Sequence, residues 1–509
     1  MKDKTRLMLT TLFGGDFMSK KGIIGIIIAA VVLIGGGAAF ALLSKSPKQA
    51  YMLAEKDNLE NWQSLFEARY ENELEWYDKT QNEKSESDAT ISFKVPESAN
   101  DEFGMLAMLN TFSLVMNSQN DLKEGISNNT ITINMMGNPV GNLLVGLNKH
   151  DLTVGSSLTN TMKIDDKKLS EYLAAQGMED ADIDFTEIFS PEGIKQQQQD
   201  AEYLAQHYFT VFFKSLDDKN FTSDKGEVDV YGSKVKAENI VMTLDEAQIR
   251  KTAKALLDEL AKDEKTKTII ERNMKTQSFG MEGVEQPTIE DFYAEIDKAR
   301  EDIDSAELPD EVKSSIWVND KIIVNRDLTI TDKDDTFTVK GMRDVKKNNS
   351  NFKYVFTAPT GEEATLVGEL VFDGKKVNDL IEFTANQTTI TYTANEDIKD
   401  KNNIFERKIT VADGSGELDL PATNGSIAWE GEMTYDKDAF DGVHNFVVTT
   451  DDEELGRMVI DSKTKLIKKV EPMTFDNTVE NLSDKTPEEI DAYLETVMND
   501  VLGSFMGGM

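Results

Sequence analysis

The spacing of apolar residues changes period along this chain, and the changes mark its elements. Between residues 47 and 80, Leu59, Trp62, Phe66, Tyr70, Leu74 and Tyr77 recur at helical spacing, which predicts a helix that packs this stripe on a sheet. A docking surface for a partner is the alternative use of the same stripe. Polar residues 81–88 read as a linker. Alternation with period two follows at Ile91, Phe93 and Val95 and again at Ile131, Ile133 and Met135, and the apolar run 105–116 between them reads as a helix. Asn138-Pro139 marks a turn before two further strands, over 143–147 and 152–164. Ser190-Pro191 offers an N-cap and a first-turn proline for a helix reaching about residue 216. Tyr203, His207, Tyr208, Phe209, Phe212 and Phe213 crowd its end and read as core.

A clearer unit follows. Strands over 227–243 turn at Tyr231-Gly232-Ser233, and Thr243-Leu244-Asp245-Glu246 has the T-x-x-E form of a capping box. The next helix would bury Ile249, Ala253, Leu256, Leu257 and Leu260. Gly280, Gly283 and Pro287 mark a domain boundary, and a helix over 288–305 leads into the second half. From about 316 to 475 the alternation is that of an antiparallel meander, plain at Phe352/Tyr354/Phe356 and at Ile427/Trp429/Gly431/Met433/Tyr435. Asp373-Gly374 is a tight-hairpin signal. Polar residues at the alternate positions imply sheets with one solvated face. Thr486-Pro487-Glu488-Glu489 is a second capping box, opening a C-terminal helix with Ile490, Tyr493, Leu494, Val497 and Leu502 on one side.

The N-terminus adds an export signal. Gly22 to Leu43 is a run of 22 residues without a charged side chain; as a helix it extends ~33 Å against ~30 Å of hydrocarbon. Its Ile, Val, Leu and Phe residues favour insertion by about 4 to 7 kcal/mol. Lys20 and Lys21 before it predict a cytoplasmic N-terminus and an extracytoplasmic C-terminal domain. A retained signal-anchor is one reading; cleavage after Ala39-Phe40-Ala41 is the other. Gly14-Gly15-Asp16-Phe17 can be encoded by a ribosome-binding sequence ahead of Met18, so residues 1–17 read as a start extension.

Together these readings predict an α+β chain: a transmembrane helix, then two antiparallel-sheet, half-barrel-like units with covering helices. The expected divisions are 1–17, a stub and anchor over 18–44, a mixed helix and sheet domain over 45–285, and a β-rich meander with a C-terminal helix over 286–509. Helix, long meander and covering helices behind an export segment resemble the lipoprotein-carrier family of bacterial envelopes. The unit over 228–260 resembles uncharacterised membrane-anchored proteins of Gram-positive bacteria. The resemblance implies a half-barrel with an apolar cavity between sheet and helices. This chain departs from the carriers in its extra length and in having no cysteine to lipidate.

Composition narrows the chemistry. The absence of cysteine excludes disulfides, thiolate metal sites and cysteine nucleophiles. The net charge is −38, and residues 1–43 carry +3, leaving about −41 on the remainder. Such a surface repels phosphate backbones and argues against nucleic acid; its ordinary use is solubility. Three histidines, His150, His207 and His444, lie far apart in sequence, and no H-E-x-x-H, G-x-S-x-G or phosphate-loop motif occurs. The S-x-x-K strings at Ser233–Lys236 and Ser462–Lys465 lack a K-T-G partner. Asp413-Gly414-Ser415-Gly416 has loop character. Calcium is the inorganic ligand with most motivation, at Asp332/Asp334/Asp335 or at Asp436/Asp438/Asp441 before Gly442, although neither follows the EF-hand spacing.

No residue is thus assigned a catalytic, cofactor or metal role. The expectation is a non-enzymatic, membrane-anchored binding or envelope-maintenance protein holding a lipid-like ligand. Its alternatives are an ectodomain binding an envelope protein and a cell-wall glycoside hydrolase with paired carboxylates.

Overall fold

The computed structural model describes residues 46–97, 106–156, 160–176, 183–185, 191–277, 288–414, 424–451, 453–475 and 478–507. Helix α1 (Pro47–Arg69) runs into α2 (Glu71–Asn82) through a bend at Tyr70. Strands β1 (Ser85–Lys94), β2 (Phe112–Asp121), β3 (Ile126–Met135), β4 (Asn138–Asn148), β5 (Asp151–Ser156) and β6 (Thr161–Asp165) follow, with the short helix α3 (Leu106–Leu109) before β2. Helix α4 (Asp166–Ala175) and the long α5 (Pro191–Ser215) lead to the hairpin β7 (Phe221–Val230) and β8 (Ser233–Asp245). Helices α6 (Glu246–Leu260), α7 (Glu264–Gln277) and α8 (Ile289–Asp302) precede the long meander. Its strands are β9 (Glu311–Asn319), β10 (Ile322–Asp332), β11 (Asp335–Lys346), β12 (Asn349–Thr357), β13 (Glu363–Phe372), β14 (Lys376–Ala385), β15 (Thr388–Lys399), β16 (Asn402–Asp413), β17 (Asn424–Tyr435), β18 (Ala439–Thr450) and β19 (Glu453–Leu466). A short β20 (Val479–Asn481) and helix α9 (Pro487–Gly507) close the chain.

All twenty strands belong to one sheet. Pairing runs from β7 in sequence order to β19, crosses to β1, continues through β6 and ends on β20. Every pairing is antiparallel except β6–β20. The joint is β1 against β19, ten residues long, with Ile91 opposite Ile460. This corrects the expected pair of half-barrel-like units: the free edge of β19 accepts the N-terminal strands, so both halves share one sheet. The anticipated boundary glycines, and the anticipated start extension, lie outside the described residues.

Helices α1 and α2 lie across the strands on one face of this sheet. With Tyr70 between them they span 36 residues and extend ~54 Å, close to the ~48 Å of ten strand spacings from β8 to β18. A helical turn of ~5.4 Å nearly matches a strand spacing of ~4.8 Å, so successive turns meet successive strands. The Tyr51 hydroxyl hydrogen-bonds Ser314 of β9 at 2.6 Å, and Glu55 pairs with Arg326 of β10 at 2.5 Å. Asn58 and Asn61 accept hydrogen bonds from Arg343 of β11 at 2.9 and 2.7 Å. Trp62 meets Phe352 of β12 edge-on, and Arg69 pairs with Asp379 of β14 at 2.7 Å. Glu73 takes Arg407 of β16 at 2.6 Å, and Trp76 stacks on Phe440 of β18. Removing one partner of a buried pair strands the other charge, at a cost of about 3–5 kcal/mol. Each pair therefore penalises slippage of the helix along the sheet.

The helix was legible in sequence; its sheet-facing side was not. Of the apolar stripe, Trp62 packs on the sheet and Tyr70 is half-buried, but Leu59, Phe66, Leu74 and Tyr77 stay exposed, Phe66 to 54%. The covered side carries Glu55, Asn58, Arg69 and Glu73, which hydrophobic periodicity cannot register. Three local readings also change. Of the run 105–116, the described residues are helical only over Leu106–Leu109, because Phe112, Leu114 and Met116 alternate onto one face of β2. The 81–88 linker already contains the start of β1. At the T-x-x-E string the strand continues to Asp245, whose side chain caps α6 by accepting from Gln248 N at 2.8 Å. The reciprocal cap at Thr486 and Glu489 forms as read. So does the Tyr231-Gly232 turn, with φ of 50° and 77°.

Among the described residues no helix is long and apolar enough to cross a membrane. The run from Gly22 to Leu43 lies outside them. The expected single-pass signal-anchor, membrane contact through one N-terminal helix and the cell-membrane, extracytoplasmic placement are corrected accordingly and are not carried forward.

The largest core lies where β7–β11 meet the start of α1 and helices α5 and α6, around Tyr51, Phe212, Ile240, Met242, Leu244, Ile249, Ile316 and Leu328. A second cluster joins Phe405, Met433 and Tyr435 to Trp76. The 3-10 turn Leu122–Glu124 between β2 and β3 touches both α2 and α5. The sheet therefore curls far enough for its N-terminal strands to approach the helices lying on the other wing.

Candidate functional site: an apolar trough across the sheet

Side-chain alternation gives the sheet two unlike faces. On the helix-bearing face, one cross-strand row runs Phe352, Gly368, Ile381, Tyr392, Ile409, Ile427 and Val448. A neighbouring row continues from Trp429 through Phe446 and Met458 to Phe93, and another from Ile460 through Ile91 and Leu114 to Ile133. The opposite face mixes Glu369, Glu382, Thr391, Thr393, Glu406, Lys408 and Glu430 with the exposed Val367, Leu380, Ile404 and Val443. Aromatic rings lie flat along the apolar face where glycine makes room: a Cβ on Gly368 would collide with the Phe352 ring.

Helices α1 and α2 cover only a band of this face. Beside them Ile409 is 50% and Ile427 59% exposed, while Ile381, Tyr392, Phe446 and Met458 are half-buried. Tyr70 shows which flank of the helix borders the open part: its hydroxyl reaches that of Tyr392 at 3.5 Å, and its ring packs against exposed Phe66. Beside the helix flank the sheet therefore leaves an aliphatic and aromatic surface open, which we call the trough.

The ionic groups on this face bind one another. Arg407 is held by Glu396 at 2.7 Å and Glu73 at 2.6 Å, among the rings of Tyr70, Phe405 and Trp429. Burial pushes the Glu73 carboxyl up while Arg407 pulls it back. The guanidinium thus bridges these two carboxylates, so they do not flank an open cleft as a glycosidase pair must. Burial lowers Arg343 to about 10; it has no carboxylate contact among the described residues, and Asn58, Asn61, Ser350 and the Trp62 face compensate it instead. Burial, reinforced by Arg407, holds His444 below its ordinary value. Its Nδ1 accepts from Trp429 Nε1 at 3.2 Å, as a neutral ring can.

The histidines and acidic turns do not assemble catalytic groups. His207 bonds Glu259 at 2.9 Å and stacks on Tyr203. Ser233 and Lys236 lie along β8 and Ser462 and Lys465 along β19, where Ser462 donates to the Gly442 carbonyl and Lys465 pairs with Glu86. Ser415 is outside the described residues. Asp332, Asp334 and Asp335 surround the β10–β11 turn, and Asp436 pairs with Lys401. Among the described residues, the group able to offer three metal ligands is elsewhere: His150, Asp166 and Asp184, with ligand atoms within 4.8 Å of one another. His150 Nδ1 already bonds Asp166 at 2.6 Å, which raises its pKa, so an ion pair accounts for this cluster.

Sequence reasoning missed Arg326, Arg343, Asp379, Glu396 and Arg407. Their signal is positional: each is a charged residue at an inward-facing position of an alternating strand, as Arg326 is between Val324 and Leu328.

No family model and no curated protein matches the sequence. Among solved structures, a CymD monoaromatic hydrocarbon channel aligns at 8% identity over 86% of this chain and 97% of its own, with a TM-score of 0.18. The translocator domain of autotransporter NalP from Neisseria meningitidis aligns at 6% identity over 80% and 97%, with a TM-score of 0.14. Scores this low transfer neither fold nor function.

Proposed function

We propose that this protein is a non-enzymatic binding protein that holds a lipid-like, largely aliphatic ligand in the trough between the α1–α2 flank and the apolar face of the sheet. One observation carries the reading: Ile409 and Ile427, exposed by half or more, continue the same cross-strand row that the helix covers elsewhere. Each methylene withdrawn from water into such a row contributes about 0.8 kcal/mol, so an aliphatic tail is the natural occupant. The self-paired charges of this face support binding over bond-making chemistry. Organic extraction of the purified protein followed by mass spectrometry should recover an amphiphile. An empty extract, together with no uptake of added oleate, would sink the proposal.

A second reading, a protein-interaction module, is favoured by the exposed Leu59, Phe66, Leu74 and Tyr77. It predicts that Phe66→Asp abolishes a protein complex formed by protein that takes up no oleate.

A further inference from the structure

We infer that the trough takes several acyl chains in file across the strands, selecting tails rather than headgroups. This rests on the reading above and extends it to stoichiometry and ligand class. The apolar surface follows Ile381, Ile409 and Ile427 to Met458, Leu114 and Ile133, shifting between neighbouring rows from β14 across the β19–β1 joint to β3. Eight strand spacings make that path ~38 Å long. One acyl chain spans about half of a ~30 Å bilayer core, or ~15 Å. The path therefore exceeds two chain lengths.

No charged side chain interrupts these six positions or the residues that pair with them on the same face. Ile409 and Ile427 are exposed and Ile381, Met458, Leu114 and Ile133 partly so, so a single occupant would leave part of the path uncovered. The nearby charges are committed elsewhere: Arg69 holds Asp379 with both oxygens at 2.7 and 3.2 Å, and Arg407 is shared between Glu396 and Glu73. A phosphate or carboxylate headgroup would have to break such a pair, whereas a hydrocarbon tail asks nothing of them. The occupant is accordingly an aliphatic chain whose polar end is not recognised inside the file.

The full-length protein is delipidated, titrated with oleate and examined by native mass spectrometry, and the titration is repeated with oleyl alcohol. Two or more chains should bind at saturation, with affinities for the two probes within about threefold. Ile427→Glu, in the middle of the file, should remove at least one bound chain. Ile404→Glu is its control, at a similarly exposed position on the opposite face, and should leave the count unchanged. Circular dichroism establishes that both variants fold; Ile409→Glu replaces Ile427→Glu if that variant does not. One oleate at saturation, an unchanged count in Ile427→Glu, or binding of the acid alone overturns this inference and leaves the single-ligand reading standing. No binding of either probe overturns both.

Discussion

The wing of the sheet around β8–β10 and the wing around β15–β18 are built from the same alternating pattern but differ in what lies over them. In the first, helices α1, α5 and α6 bury Ile240, Met242, Leu244 and Ile316 to 1% exposure or less. In the second, α2 alone crosses the face, so Ile409 and Ile427 remain open although their strands are equally regular. Alternation specifies which side of a strand is apolar; it does not specify what will cover that side. The excess of apolar face over covering helix leaves this part of the sheet open.

The contrast can be broken most forcefully at the buried charges. Glu55→Ala should lower stability by about 3–5 kcal/mol, because Arg326 is left buried and unpaired; denaturant unfolding measures it. Replacing both partners, Glu55→Met with Arg326→Leu, should recover most of the loss, and a failure to recover would show that packing rather than charge dominates. Leu244→Ala, fully buried in the covered wing, should cost about 2–5 kcal/mol. Ile427→Ser in the open wing should stay within about 0.5 kcal/mol. Equal losses at these two positions would remove the distinction between the wings. Arg343→Lys should cost about 1.5–3 kcal/mol, since an ammonium cannot reproduce the fork to Asn58, Asn61 and Ser350.

The smallest effects come from two histidines that respond to pH in opposite senses. His444 in the open wing is held below its ordinary 6.5 by burial and Arg407. Its contribution is present above 6.5 and is lost as the pH falls from there through the lowered value. His150 is held above 6.5 by Asp166; its contribution is complete below 6.5 and is lost as the pH rises through the raised value. His444→Gln should flatten the acid limb of the stability profile and His150→Gln the neutral-to-alkaline limb. Two-dimensional NMR of the imidazoles reads both shifts directly, and a normal His444 titration would show that water reaches the Trp429 pocket.

Much of this architecture was legible in the order of residues. The meander from β9 to β19, the hairpins at Tyr231-Gly232 and Asp373-Gly374 and the cap at Thr486 all follow from local rules, because turn chemistry and period-two alternation act over a few residues. The lipid-like ligand is proposed from a resemblance, whereas the open apolar face proposed to hold it follows from no local sequence rule. Two non-local facts were out of reach. The β1–β19 joint pairs residues from opposite ends of the chain, and edge-to-edge pairing leaves no mark in either strand's own pattern. Four of the seven rungs of the helix–sheet ladder are built from Arg, Asp, Glu and Asn, which a hydrophobic reading assigns to solvent. Hydrophobic spacing assigns Leu59 and Phe66 to the packing stripe, yet the ladder leaves both exposed.

The collinearity of that ladder bears on how the molecule is assembled. Residues 51 to 76 leave the ribosome before any meander strand, and their contacts then fall due in order: Arg326, Arg343, Phe352, Asp379, Arg407, Phe440. Each new hairpin can be checked against the next turn of a template already made, with a mismatched charge as the penalty for skipping a strand. The seam between β1 and β19 must wait until nearly the whole chain is synthesised, so β1 spends that interval as an open edge vulnerable to pairing with the wrong strand.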